Sequence, residues 1–250
     1  MTASTSAVTV SDVAALGTVV GVWAHPDDEA YLSGGLMALA RDAGSRVVCV
    51  TATRGEHGTT DPQAWPPELL AVERTAELSR CLEILGVTEH HWLGYRDGEC
   101  TQVDAAEAVA RLAALIDEVR PDTVLTFGPD GITGHADHRT VSAWATVAFD
   151  RAAPPGARLL YSTITDLEPQ WKTLTDELGV YLPGYPITTP FDRLAVDLAL
   201  PPEISGRKVR ALAAQQTQTA GLIALLGLDR YTAWVGNEWF VERSSAVPAS

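Results

Sequence analysis

Residues 24–29 have the sequence Ala-His-Pro-Asp-Asp-Glu and directly follow a run of residues typical of a buried strand. His25 and Asp28, three residues apart in a tight turn, can direct an imidazole and a carboxylate at one divalent ion such as zinc. Asp27 lies between them and should point to another side, where it could reach water at the ion. Acidic turn residues also cap helices and solvate loops, so this short pattern has a purely structural interpretation as well.

A second pair of candidate ligands occurs in residues 134–138, Gly-His-Ala-Asp-His, which follow another predicted strand. His135 and His138 are again three residues apart, and taken alone such a pair is as often structural as functional. Loops at the carboxyl ends of parallel strands form the ligand crevice of an open sheet, so both segments can converge on one site. Three protein ligands with a position left for water are the arrangement of a catalytic zinc.

The elements that must position these residues follow from apolar patterning. Continuous β-branched and apolar runs predict buried strands, whereas apolar residues at helical spacing predict amphipathic helices. The predicted strands are 17–24, 46–52, 91–93, 123–127, 159–163 and 194–200, and the predicted helices are 34–43, 66–86, 104–120, 138–151 and 205–226. Alternation of strand and helix predicts an α/β fold with a mostly parallel central sheet and helices on both faces.

Composition limits the domain organisation, compartment and partners. The 250 residues fit one α/β domain, with residues 1–12 and 244–250 expected to be flexible. Eighteen basic and thirty-two acidic residues give a net charge of −14, which disfavours nucleic acid, anionic membrane surfaces and polyanionic substrates. Three scattered cysteines suggest neither a disulfide framework nor a thiolate zinc site. Without a basic N-terminal region or a sufficiently long apolar stretch, we expect a cytoplasmic protein with no membrane insertion.

Taken together, these motifs resemble the LmbE-like superfamily, also called the PIG-L deacetylases. The resemblance covers most of the chain and is carried most specifically by residues 24–29 and 135–138. Supporting positions are Gly34-Gly35, the segment 53–56 (Thr-Arg-Gly-Glu), Arg74 with Glu77, Lys208, Ala211-Leu212 and Gln218. The resemblance implies a Rossmann-like three-layer sandwich.

The resemblance also implies roles for the site residues. His25, Asp28 and His138 would bind the metal, zinc or another divalent ion such as Fe²⁺. Asp27 would be the general base. His135 would stabilise the oxyanion or protonate the leaving amine, with Asp137 orienting it. The implied reaction removes the acetyl group from an N-acetylglucosamine-type sugar or glycoside, a small-molecule substrate, by water that zinc makes acidic enough to ionise near pH 7.

Two positions depart from the family pattern. Thr133 stands where mycothiol-type enzymes have a tyrosine, and Gln215 stands where the family often has a histidine. We expect both departures to affect substrate recognition more than the core chemistry.

Further residues are candidates for substrate contacts. Arg54, Glu56, Arg74 and Lys208 could contact a sugar or phosphate, although Arg74 could equally be an exposed helix residue paired with Glu73 or Glu77. Four tryptophans could form a hydrophobic wall for a sugar ring, although core packing is the usual role of a tryptophan: Trp65, Trp171, Trp234 and Trp239.

Three other functions compete with deacetylation. The first is amide cleavage of a mycothiol-type thiol conjugate or another small amide. The second is nucleotide binding, which would require G-x-G-x-x-G after the first strand, where this chain has residues 24–28 instead. The third is non-catalytic binding of a sugar or metal, against which the presence of Asp27 and His135 argues. A homo-oligomer is possible on the sequence alone.

Overall fold

A seven-stranded sheet forms the centre of the protein. The computed structural model describes residues 7–166 and 169–243. Its strands are β1 (Val19–Trp23), β2 (Val47–Thr53), β3 (Glu89–Tyr95), β4 (Thr123–Phe127), β5 (Arg158–Thr163), β6 (Val196–Ala199) and β7 (Asn237–Glu242). The strand order is β3-β2-β1-β4-β5-β7-β6, and β1 to β5 pair in parallel. The mostly parallel sheet of the prediction is confirmed.

The order of the strands reverses between β1 and β4. From β1 the chain proceeds outward through β2 to β3, then returns across the sheet to β4 on the other side of β1. Every residue of β1 and β4 is buried, as expected for central strands covered on both faces. The loops that follow these two neighbouring strands carry the two predicted motifs, at the kind of switch point where open α/β sheets bind ligands.

Helices cover both faces of the sheet. They are α1 (Asp28–Asp42), α2 (Pro67–Leu85), α3 (Ala105–Val119), α4 (Ala136–Ala152), α5 (Pro169–Leu178), α6 (Pro202–Ala213), α7 (Gln216–Leu226) and α8 (Leu228–Trp234). One layer contains α1, α2 and α6, which pack against one another, and α3 packs against α4 in the other layer. The three-layer α/β architecture is therefore confirmed.

Four predictions about single elements need correction. The first helix begins at Asp28, not at residue 34, so the metal-site motif itself starts it. The late helix predicted over 205–226 is two helices, because Gln215 leaves helical geometry with φ −94° and ψ 58°. The segment between β5 and β6, predicted as loop, contains α5. Strand β7 was missed, and it pairs antiparallel with both β5 and β6.

Residues 7–12, expected to be flexible, are held by the sheet. The N–H of Val8 donates to the carbonyl of Ala195 at 2.8 Å, and the N–H of Asp197 donates back to Val8 at 3.0 Å. Val10–Leu16 then forms a 3₁₀ helix that buries Val13 and Leu16. These backbone bonds extend the sheet beyond β6, so this part of the predicted leader is ordered structure. Residues 1–6 and 244–250, also expected to be flexible, lie outside the described residues.

Two expectations from composition concern the pairing of the cysteines and insertion into a membrane. Cys49, Cys81 and Cys100 are buried free thiols. Across residues 7–166 and 169–243, the helices are all too short or too polar to cross a bilayer.

Lys208 ties the antiparallel end of the sheet to α1. Its fully buried ammonium donates to Glu238 Oε1 and to the carbonyl of Tyr31, both at 2.8 Å. The two Glu238 oxygens also accept the N–H groups of Gly35 and Leu36 at 2.6 and 2.7 Å. Because Lys208 is enclosed by these partners, the expectation that it contacts substrate is wrong, and its role is structural.

The chain's two lysines provide a matched test of this assignment. We expect Lys208→Met to lower the free energy of unfolding by about 3–5 kcal/mol, because it leaves the buried Glu238 charge uncompensated. Lys172→Met should cost less than about 1 kcal/mol, since Lys172 pairs with Asp176 in solvent. Chemical denaturation of both variants and the wild type measures this difference. Equal stability of the two variants would refute the structural role.

Candidate active site

The turn between β1 and α1 positions three site residues through its backbone. The N–H of His25 donates to Asp28 Oδ2 at 2.8 Å, which closes the turn. Asp27 precedes α1 with a φ of +101°, a conformation that residues other than glycine rarely adopt and that surrounding structure must hold. Consequently Asp28 turns towards His25 and His138, while Asp27 lies apart from them, and both border a neighbouring cavity.

Donor atoms converge from His25, Asp28 and His138, the three residues that the family resemblance implies as ligands. His25 Nδ1 lies 3.2 Å from His138 Nε2. The Asp28 carboxylate places one oxygen 3.6 Å from His25 Nδ1 and the other 3.4 Å from His138 Nε2. Donors about 2.0–2.1 Å from a tetrahedral zinc are separated by roughly 3.3–3.4 Å. The three side chains therefore fit a single divalent ion of that size.

The remaining ring nitrogens of both histidines face acceptors. His25 Nε2 lies 3.0 Å from Asp97 Oδ1 and 3.4 Å from Asp137 Oδ2. His138 Nδ1 lies 3.0 Å from the carbonyl of Gly131. A proton on each of these nitrogens would leave His25 Nδ1 and His138 Nε2 with free lone pairs, which is how metal-binding histidines are usually oriented.

Two other groups of possible ligands share His25. One adds His135 and His138, and the other adds Asp97 and Asp137, with donor atoms within 4.8 Å of one another. The carboxylate of Asp137 already accepts the N–H groups of Gly98 and Cys100, and that of Asp97 accepts the N–H of His57. Both carboxylates lie at Nε2 of His25, on the side opposite His138, so they fit the role of orienting acceptors better than that of ligands.

Electrostatics at the converging donors favour a cation. Burial alone would lower the pKa of His25, but Asp137, Asp28 and Asp97 raise it well above its usual value. Burial would raise the pKa of Asp28, yet His138 and His25 lower it to about 2. The pKa of His138 falls to about 4, mainly through burial. At neutral pH, Asp28 is thus an anion and His138 is neutral, the forms in which both side chains bind metals.

Arg74 holds the turn that carries Asp27. It is buried, and its guanidinium donates to the carbonyl of Gly55 at 2.7 Å, to the carbonyl of Pro26 and to Asp27 Oδ2 at 3.3 Å. The alternative of an exposed Arg74 paired with Glu73 or Glu77 is therefore wrong. Burial raises the pKa of Asp27 to about 7, although the Arg74 charge opposes this rise.

Glu29 also holds the turn that carries Asp27, a role that the sequence analysis missed. It is fully buried, and its Oε2 accepts the N–H of Asp27 at 3.0 Å. Its Oε1 accepts from Gln215 Nε2 at 2.7 Å and from the Cys81 thiol at 3.3 Å. Gln215 is also fully buried and contacts Glu29, so any effect of this departure on substrate recognition would be indirect and stays a prediction. In the sequence, the signal for this supporting role was the position of Glu29 as the last acid of the 24–29 motif.

His135 and Asp137 contact each other differently from what the family resemblance implies. His135 is the exposed N-cap residue of α4, and its Nδ1 accepts the backbone N–H of Asp137 at 3.2 Å. The Asp137 carboxylate faces His25. Asp137 therefore orients His25 through its side chain and meets His135 only through its backbone. Thr133, the other departure, lines the cavity and places its hydroxyl 3.3 Å from His138 Nδ1.

Two predicted substrate contacts lie away from the cavity beside Asp27. Arg54 donates to the Thr75 hydroxyl and stacks over Trp92. Glu56 accepts the N–H of Asp97 at 3.1 Å, so it helps position the loop that carries Asp97. Asp97 itself was missed by sequence analysis. Its only signal was an Asp-Gly pair shortly after β3.

A cavity of about 300 Å³ opens onto Asp27, Asp28 and His138. Of the four tryptophans suggested as a hydrophobic wall, Trp171, Trp234 and Trp239 line it, and Trp65 does not. Elements that follow the central strands and elements of the antiparallel end of the sheet enclose it, including α5 and β7, which were not predicted. The arrangement combines a cation-favouring donor set, a neighbouring carboxylate and an apolar chamber.

Comparison with known proteins identifies relatives of this architecture. Residues 20–149 match the PIG-L family model, described as GlcNAc-PI de-N-acetylase. The chain is 37% identical over 168 residues to a 1D-myo-inositol 2-acetamido-2-deoxy-alpha-D-glucopyranoside deacetylase of Kineococcus radiotolerans, covering 56% of this chain and 46% of that protein. It is 34% identical to the Streptomyces scabiei protein of the same name, covering 81% and 66%. The chain thus spans about half to two thirds of these relatives' length.

A solved structure shares the fold over nearly the whole chain. The N,N'-diacetylchitobiose deacetylase from Pyrococcus horikoshii superimposes with a TM-score of 0.65 at 20% identity, covering 93% of this chain and 87% of that one. At this identity the likeness concerns the fold alone. The family match covers β1 to α4, the part that contains both site motifs. The chain belongs to the PIG-L family.

Proposed function

We propose that this protein is a metal-dependent hydrolase that removes the N-acetyl group from an N-acetylglucosamine-type sugar or glycoside. The observation that carries the proposal is the convergence of His25 Nδ1 and His138 Nε2, 3.2 Å apart, with the Asp28 carboxylate, whose two oxygens lie 3.6 Å from the first nitrogen and 3.4 Å from the second, and with Asp27 adjacent. The names of the related family and proteins support the deacetylase activity.

His25, Asp28 and His138 would hold the ion, with zinc as the first candidate because nitrogen and oxygen donors at this spacing suit it. A bound divalent ion supplies Lewis acidity, which polarises the amide carbonyl and makes water at the site more acidic. Asp97 and Asp137 keep the His25 ring in its orientation by accepting from Nε2.

Asp27 is placed to accept the proton of the attacking water at its carboxylate. Its half-buried side chain faces the cavity, and its pKa of about 7 lets it exchange a proton near neutral pH. Arg74 and Glu29 fix its backbone, so the carboxylate does not need to reorganise during the reaction.

His135 would stabilise the carbonyl oxygen by donating a hydrogen bond as negative charge develops there, and the proton that Asp27 accepts from water would pass to the departing nitrogen. Because its Nδ1 accepts the N–H of Asp137, the neutral ring carries its proton on Nε2. The His135 ring lies 5.0 Å from that of His25 and 5.1 Å from that of His138, centre to centre. His135 therefore lies next to His25 and His138 but is not one of the three proposed ligands.

Metal removal and an acetate-release screen test the proposal together. The purified protein should contain close to one divalent ion per chain and release acetate from N-acetylglucosamine or its glycosides. A chelator should abolish release, and zinc should restore it. A stoichiometric metal without acetate release, together with cleavage of an N-acylated thiol conjugate, would replace the deacetylase with the amidase alternative.

Replacing Asp27 should separate metal binding from catalysis. We expect Asp27→Asn to keep the metal content of the wild type and to lower kcat by about 10²–10⁴-fold, because the proton acceptor is lost. Metal analysis and kcat on the same sample measure both effects. Asp117→Asn, which alters an exposed carboxylate on α3, is the control. Turnover close to wild type in Asp27→Asn would exclude Asp27 as the base.

Asp97 should act on the metal through His25. Asp97→Asn should weaken metal binding by about 10–100-fold, because the His25 ring loses a charged partner at Nε2. Competition with a chromophoric chelator measures the dissociation constant, and Asp117→Asn again serves as the control. An unchanged dissociation constant would show that Asp97 does not orient the ligand.

A further inference from the structure

The cavity beside Asp27 is lined mainly by apolar and aromatic side chains. Trp171 from α5, Trp234 from α8 and Trp239 from β7 contribute to its wall. Aliphatic side chains complete much of the wall: Leu32, Ile132, Ile164, Val180, Leu222 and Val235. A bare sugar presents hydroxyl groups on most of its edge, so a wall of this composition exceeds what stacking one sugar ring requires.

Charges along the wall exclude an anionic occupant. Among the described lining residues, none is lysine or arginine. The acidic side chains there are Asp27, Asp28 and Glu238, and Glu238 is already neutralised by Lys208. A phosphate group against this wall would meet no lysine or arginine among the described lining residues, and the proposed ion at His25, Asp28 and His138 would be occupied by the amide carbonyl. The cavity therefore suits a neutral group.

The proposed function determines which part of the substrate fills this space. An acetyl group contributes only a methyl beyond its carbonyl, whereas about 300 Å³ lies at the lower end of pockets for whole small ligands. With the amide carbonyl at the His25, Asp28 and His138 donors, the part of the substrate that can fill the cavity is the sugar together with its substituent.

We propose that the substrate is a neutral N-acetylglucosaminide with an apolar alkyl or aryl aglycone, which lies against Trp171, Trp234 and Trp239. This inference rests on the proposed function and specifies its substrate class. An inositol aglycone carries hydroxyl groups around its ring, and burying them against this wall would cost hydrogen bonds to water. An apolar aglycone gains from the same burial.

A series of glycosides with the metal-loaded enzyme tests the substrate class. We expect kcat/KM for the n-hexyl and phenyl N-acetylglucosaminides to exceed that of the methyl glycoside by at least tenfold, and the myo-inositol glycoside to show no such gain. Tenfold corresponds to about 1.4 kcal/mol, which burial of roughly 60 Å² of apolar surface supplies. Values for hexyl, phenyl and methyl within threefold, or a preference for inositol, would overturn the proposal.

Substitution of one tryptophan in the cavity wall tests whether the preference for the hexyl glycoside arises in this cavity. Trp171→Leu should reduce the ratio of hexyl to methyl kcat/KM severalfold. Trp92→Leu, which changes a tryptophan beside a separate groove between α2 and β3, should preserve the ratio. An equal change of the ratio in both variants would refute the assignment to the cavity.

A longer acyl group is the competing occupant of the cavity. If the methyl glycoside with an N-hexanoyl group is hydrolysed at least tenfold better than its N-acetyl counterpart, while the hexyl aglycone gives no gain, the aglycone assignment is wrong.

Direct binding distinguishes failure of this inference from failure of the proposed function. Dissociation constants of the hexyl and methyl N-acetylglucosaminides are measured by calorimetry on metal-loaded Asp27→Asn. If no glycoside is hydrolysed by the wild type but hexyl binds at least tenfold more tightly than methyl, the cavity assignment stands and deacetylation is refuted. Acetate release with equal binding of both glycosides refutes the cavity assignment and leaves deacetylation intact.

Discussion

The His25 ring lies between two sets of carboxylates, and the geometry of the site depends on this contact. Asp97 and Asp137 lie at Nε2, while Asp28 lies at Nδ1 together with His138. Enclosing several carboxylates in a mostly buried site is unfavourable unless positive charge compensates them. The carboxylates that require this positive charge also fix the orientation of the His25 ring. Their placement leaves room for one ion beside His25, Asp28 and His138.

Asp27 has a strained backbone conformation that neighbouring side chains hold in place. Its φ of +101° is held by a guanidinium on one side and a buried carboxyl group on the other, from Arg74 and Glu29. Neither support belongs to the donor set. The result is a carboxylate one peptide unit away from Asp28 that borders the same cavity but does not join the Asp28 contacts with His25 and His138. Adjacent acids in one motif thus take separate environments, with pKa values of about 7 and about 2.

The less regular end of the fold supplies the wall of the cavity, while the loops after the parallel strands supply the converging His and Asp donors. Parallel strands β1 and β4 bring together the loops with the His and Asp donors, and β7, α5 and α8 add the aromatic wall. The buried Lys208–Glu238 pair connects these two parts through the backbone of α1. The converging donors and the aromatic wall therefore come from different parts of the fold.

The sequence was sufficient to predict the parallel α/β fold and the two segments that carry the site. Buried strands and amphipathic helices leave periodic patterns, and His25, Asp28 and His138 follow strand ends at informative spacing. Only the tertiary structure placed Asp97 against His25, buried Arg74 beside Asp27 and enclosed Lys208 with Glu238. It also decided the break at Gln215 and the pairing of β7. Periodicity shows which face of an element is buried, but partners distant in the chain are chosen by packing and charge compensation, which no local pattern encodes.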